Sequence, residues 1–309
     1  MSAKSELNIL IENFKEQRPL RAGSLIISLF GDAITHRADN VWLGSLFKLV
    51  EPFGINERLV RTSVYRLVNE NWLQADKQGR RSYYGLTQSG AKRFHAAFEH
   101  VYQMTTPYWQ GSWCLVFLNQ LDAEKKKQVK EELHWLSFGS LGNDVMLHPR
   151  IKRLDLLPLL KDWHCHQDII VLQTESLSEK SPQALYQQVK ESWNLDQLGA
   201  KYHDFIQAFE PLYLASKHLM DLSDEECHLA RTLLIHEYRK IVLKDPQLPD
   251  PLLPEEWEGY QAKHLCRSLY QALFSNADLW LNQHLENENG KLPPIGDSFY
   301  SRFGGLAQF

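Results

Sequence analysis

Three arginines, Arg58, Arg61 and Arg66, stand within nine residues of the stretch NERLVRTSVYRLVNENWL (56–73), interleaved with Thr62, Ser63 and Tyr65. Guanidinium groups fork onto phosphate oxygens and onto guanine O6 and N7, while hydroxyl and phenol groups bond phosphates and base edges. These side chains are therefore an inventory for reading duplex nucleic acid, provided they share one face. On a helical wheel Val60, Val64, Leu67 and Val68 cluster on one side and Arg58, Thr62, Tyr65 and Arg66 on the other, with Arg61 on the flank. Asn56 is a good N-cap for that helix, and Glu57 is well placed against its dipole.

A second basic group follows in QADKQGRRSYYGLT (74–87), where turn residues Asp76 to Gly79 separate two short extended runs and predict a hairpin. Lys77, Arg80 and Arg81 sit at or beside its tip. From Asn56 to Arg93 there are eight basic and three acidic side chains, a net of +5 in a chain of net charge −4, so the remainder carries −9. Such a basic island can bind a polyanion locally, although a solvated helix face would show the same charge pattern.

The elements that must position these groups are legible from periodicity. RAGSLIISLFGDA (21–33) and LGSLFKLVEPFG (43–54) each carry apolar residues at helical spacing, and Pro52 stops the second. Three helices and a basic-tipped hairpin predict a winged helix-turn-helix, its third helix in the major groove and its wing on the backbone or minor groove. Thr87 caps a further helix whose Ala91, Phe94, Phe98 and Val101 pack on this domain or begin a dimer contact.

Beyond Thr106-Pro107, strands are expected at 112–119, 144–148 and 168–174, with a helix capped by Asp122 and another at DLLPLLKDW (155–163). This alternation predicts a ferredoxin-like α+β unit whose fourth strand is not legible. After Ser181-Pro182 only helices are expected, one opened by a capping box of Ser223 and Glu226 and running to about Leu243. The segment DPQLPDPLLPEEW (245–257), with four prolines, reads as a stiff connector or a wall beside a cleft. The predicted class is thus α+β multidomain: a winged helix-turn-helix DNA-binding domain at 1–105, a ferredoxin-like middle domain at 106–180, and an all-α C-terminal domain at 181–309.

Several function classes find no support. With 309 residues, 43% hydrophobic and 23% charged, the composition is that of an ordinary globular protein. No apolar run approaches the ~18 residues a membrane span needs, and the N-terminus has no apolar signal core, so a cytoplasmic location is expected. Cys114, Cys165, Cys227 and Cys266 show no CxxC spacing and are expected to be reduced thiols. HEYRK (236–240) has Lys240 where a zinc protease needs its second histidine, HCH (164–166) has no partner cluster nearby, and GDSF (296–299) lies far from any early strand. No catalytic residue, metal or cofactor is predicted.

VRTSVYRLVNENWL, the basic hairpin ending YYGLT with Gly90 beyond it, and HEYRKIVLKDPQLPDPLLPEEWEGYQA (236–262) together resemble the PaaX family of transcriptional repressors, from about Arg21 to at least Leu273. The resemblance implies a homodimeric repressor of phenylacetate catabolism genes that binds a double-stranded DNA operator and is released by phenylacetyl-CoA. It puts the recognition helix on Asn56 to Asn71, the wing on Gln74 to Leu86, and family signatures on His236 to Arg239, Asp245 to Pro249 and Trp257. His236, Tyr238, Arg239 and Trp257 are accordingly the candidates for the effector; a buried network that fastens the C-terminal helices is the other reading of them. The middle domain also resembles small CRISPR-associated nucleases by fold, but its first strand ends FLNQ without a carboxylate. The alternatives are a winged-helix regulator with another effector or a partner protein and, more remotely, an acyl-CoA hydrolase or nuclease.

Overall fold

The computed structural model describes residues 2–104, 108–175, 183–215 and 222–306; the boundaries expected at Thr106-Pro107 and Ser181-Pro182 lie outside these residues. The described chain is an α+β N-terminal region followed by a largely helical C-terminal region. It forms two compact units, one of residues 1–104, 202–243 and 259–309 and one of residues 105–201 and 244–258.

In the first unit, α1 (Ala3–Glu16) opens with Ser2 accepting from the Ser5 amide at 3.3 Å and buries Leu7, Leu10, Ile11 and Phe14. This helix was not among the elements expected from the sequence. α2 (Ala22–Leu29) continues into one π-helical turn, Phe30–Ile34, then come β1 (Asn40–Trp42), α3 (Leu43–Val50) and a 3-10 turn at Glu51–Phe53. Gly54, at φ 76°, closes that turn in the left-handed region glycine favours, and α4 (Glu57–Asn69) starts at once. β2 (Leu73–Gln78) and β3 (Arg81–Leu86) form the expected antiparallel hairpin, with β1 added to the other edge of β3. α5 (Gln88–Tyr102) begins where the Gly90 amide donates to Thr87 Oγ1 at 2.8 Å. A Cβ on Gly90 would stand 2.2 Å from the Trp72 carbonyl oxygen, so this approach of α5 to the start of the hairpin requires glycine.

The second unit carries a four-stranded antiparallel sheet of β4 (Ser112–Phe117), β5 (Gly139–Leu141), β6 (Val145–His148) and β7 (Ile170–Glu175) in the order β5-β6-β4-β7. α6 (Ala123–Trp135), capped by Asp122 on the Lys125 amide at 2.9 Å, and α7 (Arg153–Asp162) contribute Val129, Leu133, Leu156 and Leu160 to a core with Cys114, Val116 and Met146. The missing fourth strand is β5, three residues that show no readable alternation. α8 (Gln183–Ser192) follows, and its Ser192 hydroxyl donates to the Ser140 carbonyl of β5 at 2.8 Å.

α9 (Leu195–Ala215), α10 (Asp224–Val242) and α11 (Glu258–His284) supply the helical remainder, and both bonds of the Ser223–Glu226 capping box form. The expectation of helices alone beyond residue 181 is corrected by a short ribbon, β8 (Glu286–Asn287) with β9 (Gly290–Lys291). Two-residue strands have no periodicity to read; the turn between them is Glu288-Asn289, and Gly290, which opens β9, stands at φ 105°.

The core of the first unit is pinned by a carboxylate. Asp32, in the π-helical turn, accepts from Arg231 Nε and Arg302 Nη1 at 2.7 Å each and from the Tyr102 and Tyr270 hydroxyls at 2.8 Å each. Arg302 also stacks on Phe299 at 4.1 Å and Tyr102 at 4.3 Å. Burial raises the Asp32 pKa, but Arg231, Arg302 and the two phenols outweigh it and hold the carboxyl at about 2. One side chain thereby joins the end of α2 to α5, α10, α11 and the C-terminal 3-10 segment Asp297–Gly304.

Candidate nucleic-acid interface

α4 is held by its apolar stripe, Val60, Val64 and Leu67, all buried, and by Asn56 Oδ1 accepting from the Leu59 amide at 2.9 Å. Its opposite face holds Arg58, Arg61, Thr62, Tyr65 and Arg66, all exposed, with Ser63 half-buried at the margin. Tyr65 is 69% accessible, so its ring and hydroxyl stand in solvent on the same face as the arginines. Arg61 pairs with Glu57 and Arg66 with Glu70, at 2.5 and 2.7 Å, each across one helical turn. The Thr62 hydroxyl donates to the Arg58 carbonyl at 2.9 Å.

The hairpin leaves Lys77, Arg80 and Arg81 exposed, as the spacing predicts. Arg81 is the most constrained of the three: its guanidinium lies 4.4 Å over the Trp42 ring and its Nη1 reaches Glu286 Oε2 at 3.1 Å. Glu288 Oε2 accepts from Asn40 Nδ2 at 2.8 Å and Gln78 Nε2 at 3.0 Å. The β8–β9 ribbon therefore braces the hairpin's flank, a support that sequence reasoning missed because more than two hundred positions separate the partners.

Of the further expected stripe on α5, Val101 is buried, Phe98 meets His36 at 5.3 Å and Tyr102 at 4.7 Å, and Ala91 is exposed, so these aromatics serve the unit's own core.

The effector candidates fall in two places. His236 and Tyr238 are buried in the first unit; His236 Nδ1 is 2.9 Å from Ser28 Oγ, and Arg239 Nη1 donates to Ser28 Oγ at 2.7 Å and to the Ser24 carbonyl at 3.3 Å. Burial, with Lys240 and Arg239 nearby, lowers the His236 pKa to about 3, so its ring is neutral; burial also lowers the Arg239 pKa. Trp257 is buried in the second unit with the proline-rich segment, where the Gln247 carbonyl accepts from Arg150 Nη2 at 2.7 Å. A cavity of about 530 Å³ opens between α2 and α4, and Arg239 reaches its wall.

In HCH (164–166) the thiol is buried and both histidines are exposed, and among the described residues no cluster could hold a metal ion. Nor, among these residues, is any helix long and apolar enough to cross a membrane.

Residues 21–90 match the model of the PaaX-like protein family, and residues 193–283 match the PaaX-like protein C-terminal domain. The transcriptional repressor PaaX of Escherichia coli (strain K12) is 38% identical over 303 residues, 98% of this chain and 96% of that one. Among solved structures, an uncharacterized protein from Mycobacterium tuberculosis gives a TM-score of 0.49 at 20% identity, over 76% of this chain and 89% of its own.

Proposed function

This chain belongs to the PaaX family of transcriptional repressors, and from that premise we propose that it represses phenylacetate catabolism genes by laying α4 in the major groove of an operator. Members of this family are regulators, not enzymes. The observation that carries the reading is the exposed face of Arg58, Thr62, Tyr65 and Arg66 above a buried stripe of Val60, Val64 and Leu67. In this reading the first 105 residues act as a winged helix-turn-helix: Arg58, Arg61, Thr62, Ser63, Tyr65 and Arg66 contact bases and phosphates, and Lys77, Arg80 and Arg81 on the wing fix the register on the backbone. Residues 106–180 are a ferredoxin-like middle domain, and 181–309 serve effector response and dimerisation. Two copies of α4 in successive major grooves, about 34–36 Å apart, require an inverted-repeat operator with half-sites one turn or a multiple apart.

Release of the operator by phenylacetyl-CoA requires that the ester bind the DNA-incompetent state more tightly, because equal affinity for both states shifts nothing. In this reading Arg239 supplies the cation for the effector, with His236 and Tyr238 buried in the same unit, while Trp257, the fourth candidate, belongs to the other unit. Fluorescence anisotropy on the promoter of the neighbouring operon, at stated salt, tests the proposal. The complex is expected to dissociate with phenylacetyl-CoA and to persist with free phenylacetate. Tight binding indifferent to both would keep the DNA-binding face and remove this effector, and absence of specific binding would remove the repressor mechanism itself.

A further inference from the structure

We propose that the cavity between α2 and α4 takes the acyl end of an anionic effector, and that its occupancy and operator binding exclude each other at Arg66. This rests on the effector reading above and adds where the ligand sits and why it releases DNA. The volume, about 530 Å³, lies in the usual range of small-molecule sites. Ile27, Leu59 and Leu67 give it an apolar lining, and Trp72 adds an aromatic ring. Three arginines, Arg21, Arg66 and Arg239, meet one carboxylate there, Glu70, which already pairs with Arg66 at 2.7 Å. An apolar lining with surplus positive charge selects a ligand with an apolar body and an anionic handle, such as an aryl or alkyl acid or its ester with a phosphorylated carrier.

The position of the cavity supplies the coupling. Thr62, Ser63 and Arg66 belong at once to its wall and to the face proposed to meet DNA. A ligand anion on Arg66 withdraws that side chain from phosphate and guanine, and the same linkage makes operator DNA weaken the ligand. Arg239 reaches the cavity wall from α10 and is tied through Nη1 to Ser24 and Ser28 of α2, so it is a cation that stays in place while Arg66 changes partner.

Gly23 offers a direct test. A Cβ there would stand 3.9 Å from Ser63 Cβ, an ordinary contact, so Gly23→Cys places a thiol on the cavity wall without crowding; the four native cysteines are buried. Maleimide alkylation of the full-length variant, confirmed folded by its thermal melt, is timed with phenylacetyl-CoA, phenylacetate or coenzyme A alone, beside operator anisotropy of the wild type. The ester is expected to slow alkylation by at least about tenfold, which corresponds to 1.4 kcal/mol, and coenzyme A alone to leave it unchanged. Leu20→Cys, in the loop before α2, repeats the measurement at a lining position outside any helix. Alkylation of both thiols unslowed by an ester that does release wild-type protein from its operator overturns the cavity and leaves the repressor reading intact. Protection by coenzyme A alone, equal to that by the ester, overturns the assignment of the acyl end. A wild-type complex that ignores the ester overturns the effector, and the cavity then stands or falls on whether either thiol is protected.

Discussion

The arginines of α4 and those around Asp32 carry the same charge in opposite surroundings. Arg61 and Arg66 hold carboxylates one turn away while their side chains remain 62% and 78% exposed; Arg231 and Arg302, at 1% and 0%, converge on a single carboxylate. Exposed ion pairs in general stabilise a fold by about 0–1 kcal/mol, so a phosphate can replace the carboxylate at little cost. A buried pair that loses one partner leaves an uncompensated charge in a low-dielectric core, which costs about 3–5 kcal/mol. The first arrangement can exchange partners and the second cannot, which separates side chains available for binding from those committed to the fold.

Asp32→Asn gives the largest effect expected from this contrast. It keeps the size of the side chain but leaves Arg231 and Arg302 without their counter-charge, and a loss of about 3–5 kcal/mol in urea unfolding is expected. A midpoint equal to wild type would show that the buried cluster is no fastener.

Acid acts on the same side of the comparison. Burial depresses His36 to about 4 and His148, His228 and His236 to about 3. Below their ordinary value of 6.5 the unfolded chain therefore holds more protons than the folded one, and stability falls as pH drops from 6.5 toward those folded values. The slope approaches about 1.4 kcal/mol per pH unit for each histidine. Asp32 adds to the loss as pH falls through its ordinary carboxyl value toward 2. Urea midpoints between pH 7 and 4 read this, and a flat profile would contradict burial of the neutral rings.

Arg66→Ala probes the exposed side. Operator affinity should fall by about 1–3 kcal/mol with relaxed sequence preference, while the melting temperature stays that of wild type. Arg81→Ala should have the smallest effect, weakening all DNA alike and lowering the salt slope by about one, with little change in stability. If Arg81→Ala altered sequence preference and Arg66→Ala did not, the roles of helix and wing would be exchanged.

Much of this was legible beforehand wherever the deciding neighbours lie within one turn or one strand period. The wheel of α4, the Asn56 cap, the capping box on α10, the β2–β3 hairpin and three strands of the second unit are of this kind. β1, β5 and the β8–β9 ribbon escaped notice because two or three residues carry no period, and they exist through the strands that pair with them. The exposed arginines were legible as a face, but Arg81 was not legible as already paired, because its partner lies in a ribbon 205 positions away.

By itself, then, the sequence determined the local elements, the basic face of α4 and the basic hairpin, and the absence of familiar catalytic spacings, since these follow from side-chain type and short-range periodicity. Only the tertiary structure decided that Arg231 and Arg302, 199 and 270 positions from Asp32, neutralise it in the core, and that Arg239 ends in the wall of a cavity between α2 and α4. The physical reason is that the energy of a charge depends on what surrounds it. Chain topology brings the partners together and removes the water, and neither is encoded in the spacing of residues along the chain.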